Sequence, residues 1–405
     1  MPLIVGYEEA ALAVRREAER ILVRPRDHDR VPLLQAAGRV LAEPVLADRD
    51  QPPFSRSTRD GFACRATELE CGPLRIAGLL RAGQPWTGGN LGAGEAVEIM
   101  TGAAVPAGAD CVAMVEHVTS ADGQVQLNGQ HHPASGENIV PAGAEAKSSN
   151  VVIPAGRRLG PAEIAAAAAC GSATVPVFTR PRVAILATGD ELVEVAEVPL
   201  AHQIRNSNSY SLAVQVAVAG GESKIFPIVR DEVEETETAV RQAMSFDLIL
   251  LSGGVSMGRF DYVEPALLSV GADFIFTGVR MQPGKPVVFG RVGEKPFFGL
   301  PGNPISTMVT FALFVAPVLR ALGGESKTEP RFCMARVEED VAVKPGLTRF
   351  LPARLQSDFD GTRVRRIPWQ GSGDLTAAAQ ANAFLIVPET REKMAEGEIV
   401  SVLEL

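Results

Sequence analysis

The stretch Val183-Ala184-Ile185-Leu186-Ala187-Thr188-Gly189-Asp190-Glu191 decides the fold. Five apolar residues running into a glycine turn read as a strand buried on both faces. The turn itself carries hydroxyl and acidic side chains. The same grammar returns at Leu250-Leu251-Ser252-Gly253-Gly254-Val255-Ser256 and at Phe297-Phe298-Gly299-Leu300-Pro301-Gly302-Asn303-Pro304. A fourth turn, Pro283-Gly284-Lys285-Pro286, also follows an apolar run. If the strands are parallel neighbours, all four turns meet at one sheet edge, where open α/β sheets bind their ligands.

Around these turns the pattern is regular. Strands are expected at 183–187, 224–229, 248–251, 274–276, 287–289 and 297–299, with helices at 209–219, 233–244, 262–270 and from 305 onward. Strands alternating with helices imply a mostly parallel sheet covered on both faces. Upstream, residues 7–23 carry the spacing of an amphipathic helix (Ala11, Val14, Ala18, Ile21, Leu22), and a second short helix is expected at 33–40. Short apolar runs punctuated by glycine and proline up to about residue 140 suggest an inserted β module. Pro161 opens and Gly171 stops a helix that should rejoin the N-terminal helices. After Gly323-Gly324, apolar runs at 332–337, 350–355, 362–366 and 384–387 suggest a small barrel or sandwich. The expected domains are therefore 1–48 with 140–179 (helical and extended), 49–139 (inserted β), 180–326 (α/β) and 327–405 (C-terminal β).

A chain of 405 residues is too long for a single core. A net charge of −9 speaks against a general nucleic-acid binder, while leaving room for a local basic pocket. The five scattered cysteines show no CxxC or zinc spacing and fit a reducing, cytoplasmic setting. Glu8 and Glu9 stand where a signal peptide would be basic and then apolar. The apolar run 305–319 is shorter than a bilayer span and contains Pro317, so it reads as a buried helix rather than a membrane anchor.

Asp190, Glu191, Asp231 and Asp261 follow successive strands, and converging carboxylates suit Mg²⁺. Asp190, Asp231 and Asp261 also read, singly, as helix N-caps. The Ser252–Ser256 turn offers backbone N–H groups and two hydroxyls to an anion, without Walker A or GxGxxG spacing. Lysine is scarce here, at seven of 39 cationic residues. Lys285 lies between two prolines that fix its backbone, so a rigidly placed ammonium for a phosphate or other oxyanion is indicated. Asn303 reads as an N-cap with Pro304 at the first helical position. In the inserted module, Asp60-Gly61 and Thr101-Gly102 read as tight turns. The five histidines suggest neither a metal set nor a triad.

Taken together, these motifs resemble the molybdopterin molybdenumtransferase family of bacterial MoeA and the gephyrin E-domain. The resemblance rests on Gly38-Arg39-Val40-Leu41-Ala42, Asp60-Gly61-Phe62-Ala63, Ile99-Met100-Thr101-Gly102-Ala103 and Pro106-Ala107-Gly108-Ala109-Asp110. It continues through the four turns above, in shared order and spacing. It implies four domains: a helical and extended domain interrupted by a β domain, an α/β domain similar to the molybdopterin adenylyltransferase fold, and a C-terminal β-barrel-like domain. It also implies a homodimer whose cleft lies between subunits, where adenylylated molybdopterin and molybdate react with Mg²⁺ to give molybdenum cofactor and AMP. Carried over by motif, Glu191, Asp231 and Asp261 would bind metal or organise hydrolysis, and Lys285 would hold phosphate or molybdate. Thr188, Gly189, Asp190, Ser252, Gly253, Gly254, Ser256, Pro301, Gly302 and Asn303 would line the pterin's seat, with Asp60 and Thr101 entering from the partner subunit. Gln282 stands where the family commonly has a lysine, and Glu145 where an aspartate is common.

Two other functions are weighed against this one. An adenylyltransferase would resemble only residues 180–325, which leaves the long N-terminal half unexplained. A non-catalytic scaffold need not keep Asp231, Asp261 and Lys285. Enzymes of the same pathway are the expected protein partners.

Overall fold

The computed structural model describes residues 3–129, 131–254 and 263–405. Its α/β sheet has the strand order Glu222–Ile225, Arg182–Ala187, Leu248–Ser252, Lys295–Leu300, Val288–Val292, Ala272–Phe276. The first four are parallel. Val288–Val292 runs antiparallel to Lys295–Leu300, and Ala272–Phe276 antiparallel to it in turn.

Side chains alternate across this sheet, as the pleat requires. Val183, Ile185, Leu250 and Phe298 face one core, with Leu212 and Val216 of the helix Ser207–Ala219. Ala184, Leu186, Ile249 and Phe297 face the other, against Val240 and Leu267 from the helices Val233–Ala243 and Val263–Ser269. Both faces are apolar because both are covered.

The helix Tyr7–Leu22 buries Ala10, Val14, Ala18 and Ile21 in the first of these cores, against the helix Ala316–Leu322. Grouped by sequence with residues 140–179, it instead packs on the α/β domain, because the long apolar helix there needs cover on its outer side. That helix runs from Pro304 to Leu322 with a π-helical turn at Phe311–Val315. It is long and apolar enough to cross a membrane, yet 78% of its most apolar window is buried inside the protein. It is a core helix.

The remaining N-terminal residues form small paired strands. His28–Pro32 pairs with Thr174–Phe178, and Val45–Leu46 with Val151–Ile153, around Leu41, Leu159, Ala167 and Val177. The second expected helix is a single 3-10 turn, Leu33–Ala36, cut short where Gly38 takes φ +73°. Pro161–Ala169 is helical, with Glu163 accepting from the Gly160 amide (3.0 Å), and it packs on that turn.

The inserted module is a six-stranded sheet ordered Cys111–Met114, Gly61–Cys64, Glu95–Ile99, Leu74–Leu80, Gln124–Leu127, Val118–Ala121, with an apolar core on each face. Near the C-terminus, Thr348–Asp358, Gly361–Arg366, Phe332–Val337, Ile399–Glu404 and Ala383–Val387 pair in a ring, Thr348–Asp358 closing on Ala383–Val387. The result is a closed five-stranded barrel, with Ile399–Glu404 the strand the sequence did not reveal. Gly278–Gln282 bridges barrel and α/β domain, parallel to Ile4–Gly6 on one side and Thr348–Asp358 on the other. Arg158 fastens three segments: it donates to Gly38 O (2.9 Å) and Ala219 O (3.0 Å) and pairs with Glu325 (2.7 Å).

Candidate active site

Three expected turns leave the carboxyl ends of neighbouring parallel strands and are tied at their roots. Thr188 N donates to Ser252 O (3.1 Å), Gly189 N to Val229 O (3.2 Å) and Gly253 N to Leu300 O (3.2 Å). The Ser252 turn needs its glycines. Gly253 and Gly254 have φ +91° and +60°, a region L side chains disfavour. A Cβ on Gly253 would lie 2.5 Å from Thr188 O, and one on Gly254 2.7 Å from Thr188 Oγ1. Thr188 is buried, and its Oγ1 has no hydrogen-bond partner among the described residues.

The fourth turn reaches this edge by a different route from the one expected. Gly278–Gln282, which precedes Pro283-Gly284-Lys285-Pro286, belongs to the bridging strands rather than to the α/β sheet. The turn leads into Val288–Val292, whose first residue pairs with Gly299. An antiparallel strand begins where its parallel neighbour ends, so the turn still arrives at the carboxyl edge. Lys285 is exposed there, and its carbonyl accepts from Val279 N (2.9 Å).

The acids converge in part. Asp190 Oδ1 accepts from the Asp231 amide at 3.4 Å, which joins the first turn to the segment after Glu222–Ile225. Neither acts as a helix cap: the N-cap of Val233–Ala243 is Glu232, without a side-chain cap hydrogen bond. Glu191 is exposed beside Asp190. Asp261 and Ser256 lie outside the described residues. Among the described residues, no group of three or more His, Cys, Asp or Glu side chains is placed to hold a metal ion.

Asn303 occupies the N-cap position of Pro304–Thr310, yet its side chain makes no capping hydrogen bond. Its Nδ2 donates instead to Ser372 Oγ (2.9 Å), while Ser372 O accepts from Ile305 N (3.0 Å). A C-terminal segment is thereby brought to the sheet edge. Pro301 O accepts from Thr307 Oγ1 (2.6 Å), fixing the start of that helix.

Sequence reasoning missed Ser372, Asn206 and Asn208. Asn206 caps the helix Ser207–Ala219, accepting from Ser209 N (3.2 Å). Asn208 donates to Ser252 Oγ (3.0 Å) and to Gly302 O (2.7 Å), spanning two of the turns. The run Asn206-Ser207-Asn208-Ser209 carries N-cap chemistry that could have revealed the helix start. Nothing local marks Ser372.

Asp60 and Thr101 form a site of their own. Asp60 Oδ1 accepts from both Thr101 N (2.6 Å) and Thr101 Oγ1 (2.7 Å). These bonds, the backbone one foremost, hold the exposed Asp60 carboxyl below the usual carboxylate range. The pair sits where Gly61–Cys64 begins and Glu95–Ile99 ends, with Gly61 opposite Ile99. No hydrogen bond or ion pair among the described residues joins it to the sheet-edge turns within one chain.

Family profiles match end to end. The MoeA N-terminal region (domains I and II) covers residues 5–171, a probable molybdopterin-binding domain 184–321 and the MoeA C-terminal region (domain IV) 334–405. A molybdopterin molybdenumtransferase of Nostoc sp. is 35% identical over 393 residues, spanning 94% of this chain and 89% of the relative. One of Bacillus subtilis is 34% identical over 383 residues, spanning 92% and 89%. A solved molybdopterin biosynthesis MoeA protein from Pyrococcus horikoshii is 28% identical with a TM-score of 0.81, covering 99% of this chain and 100% of that one. A second such structure is 31% identical with a TM-score of 0.74, covering 99% of each chain. By its profiles and by relatives matched over nearly its whole length, the chain belongs to the MoeA family of molybdopterin molybdenumtransferases.

Proposed function

We propose that this chain is a molybdenum cofactor transferase that inserts molybdate into adenylylated molybdopterin, with Mg²⁺-dependent release of AMP. The observation that carries this reading is the sheet edge itself, where Thr188, Ser252 and two obligatory glycines form a turn near the tie between Asp190 and the Asp231 amide, and where the turn carrying the exposed Lys285 also arrives. Cleaving a phosphoanhydride depends on charge neutralisation and positioning more than on a strong base.

In this reading the Ser252–Ser256 turn seats the phosphate end of the pterin, with Gly189, Pro301, Gly302 and Asn303 shaping its surroundings. Glu191, Asp231 and Asp261 would hold Mg²⁺, whose oxygen preference their carboxylates match and whose charge would offset the phosphates. Lys285 neutralises the oxyanion. Asp60, held ionised by Thr101, enters from the second subunit of a homodimer. The enzyme would work in the cytoplasm beside enzymes that supply its substrate. The adenylyltransferase alternative leaves the matched N- and C-terminal regions without a role.

Purified protein supplied with adenylylated molybdopterin, molybdate and Mg²⁺ should release AMP and yield active cofactor. Asp231→Ala and Lys285→Ala should each lower turnover at least about tenfold, with the fold retained by circular dichroism. No AMP release by the parent protein would reject the reaction. Full turnover in both variants would reject the site.

A further inference from the structure

We propose that Asn208 is a positioning residue that sets hydrogen-bond polarity at the Ser252 turn, freeing the Ser252 hydroxyl to donate to an anionic oxygen of the substrate. This inference rests on the reading above that the sheet edge seats the pterin's phosphate end.

The orientation of the Asn208 amide follows from its partners. Gly302 O is a carbonyl and can only accept, so the atom 2.7 Å from it must be the nitrogen. The same Nδ2 lies 3.0 Å from Ser252 Oγ. Its two hydrogens are thus spent on two different turns. Ser252 Oγ accepts one of them, and its own hydrogen is left to be donated elsewhere. No hydrogen bond donated by it is found among the described residues.

A second, independent observation points the same way. Thr188 Oγ1 is buried beside Gly254 and also lacks a partner among the described residues. Buried hydroxyls are rarely left unsatisfied, and doing so costs about 1–3 kcal/mol. Two unspent O–H donors at the root of one glycine turn describe a seat for an acceptor-rich group such as a phosphate. Asn208 ensures that one of them faces its ligand as a donor. The residue also ties the Ser252 turn to the Gly302 turn.

Asn208→Asp tests this with almost no change in size. The introduced carboxylate accepts from Ser252 O–H, reversing that bond, and has no hydrogen for Gly302 O. Molybdopterin binding, measured by calorimetry, should weaken about 10- to 100-fold, the loss of a hydrogen bond to a charged group. Affinity relative to the parent should partly return from about pH 7.5 to about pH 4, as the introduced carboxyl gains a proton and can donate again. Repulsion between the introduced charge and the substrate would act the same way with or without the Ser252 hydroxyl, so the pH dependence supports this role only if Ser252→Ala diminishes it. Asn208→Leu, which lacks donors and charge, loses the orienting bonds without capturing the Ser252 proton, so it should weaken binding less than Asn208→Asp at about pH 7.5 and by the same factor at every pH. Ser252→Ala should weaken binding by a similar factor, and the loss in the double variant should be smaller than the two single losses combined.

Should Asn208→Asp not fold, the Leu and Ser252 variants carry the same test. Parental affinity in the Asn208 variants, with weakened binding in Lys285→Ala, would overturn the role of Asn208 and leave the site standing. Parental affinity in Lys285→Ala and Gly254→Val as well would remove the site reading, and Asn208 with it.

Discussion

Asp60 shows how one side chain's charge state follows from its immediate neighbours. Its carboxyl is solvent-exposed, so the lowering of its pKa comes from hydrogen bonds to the charged form: first the Thr101 amide, then the Thr101 hydroxyl. The sign follows directly. A carboxyl whose folded value is depressed adds stability above its unfolded value, and that stability is lost as pH falls through the folded value. The Asp60–Thr101 tie is therefore complete at neutral pH and dissolves only in acid. Thr101→Val removes the hydroxyl and keeps the amide. The Asp60 carboxyl should then titrate higher than in the parent and still below an ordinary aspartate, followed by carboxyl-carbon NMR. An unchanged midpoint would show that the hydroxyl contributes nothing. At this scale the sequence was informative about identity and poor about partners. Asp60, Thr101, Ser252 and Lys285 were recognisable, while the attachment of Asn303 to Ser372 joins residues 69 apart in the chain and leaves no local trace.

Elements were legible wherever their periodicity was local. The helix Tyr7–Leu22 announced itself by apolar spacing, and the parallel strands by apolar runs ending in turns. What could not be read was where the first helix docks, because its partner lies some three hundred residues away. The bridging strand Gly278–Gln282 was hidden for the same reason: it is only five residues long, and both its neighbours are distant in sequence. Phe314 lies at one end of the contact between first helix and core. It is fully buried, with ring centroids 6.3 Å from Tyr7 and 5.9 Å from Phe276. The same burial pushes the Tyr7 phenol up to about 12. Phe314→Ala should therefore cost about 3–5 kcal/mol in chemical denaturation, the usual range for emptying such a site. A loss below about 1 kcal/mol would mean that the surrounding helices collapse into the space and that this junction is not tightly packed.

For the whole molecule, the decisive fact is a separation. The sheet edge with Ser252, Asp231 and Lys285 and the Asp60–Thr101 pair belong to different modules, and no hydrogen bond or ion pair among the described residues joins them in one chain. In the proposed homodimer, one subunit would supply the sheet edge and its partner the Asp60–Thr101 pair. This arrangement has a consequence that a one-chain active site lacks. Asp60→Ala and Lys285→Ala homodimers would each have two damaged clefts. Unfolded together and refolded, half of the resulting dimers would be mixed. Each mixed dimer would hold one doubly damaged cleft and one cleft with both residues intact. Turnover should therefore recover to about a quarter of the parental value per mass of protein, the result of random pairing in a two-fold dimer. Asp231→Ala mixed with Lys285→Ala should show no such rescue, because both residues sit on the same sheet edge and no cleft in their mixed dimer is whole. No rescue in the first mixture would place Asp60 outside a cleft shared between subunits, and rescue in the second would place Asp231 and Lys285 on different subunits of one cleft.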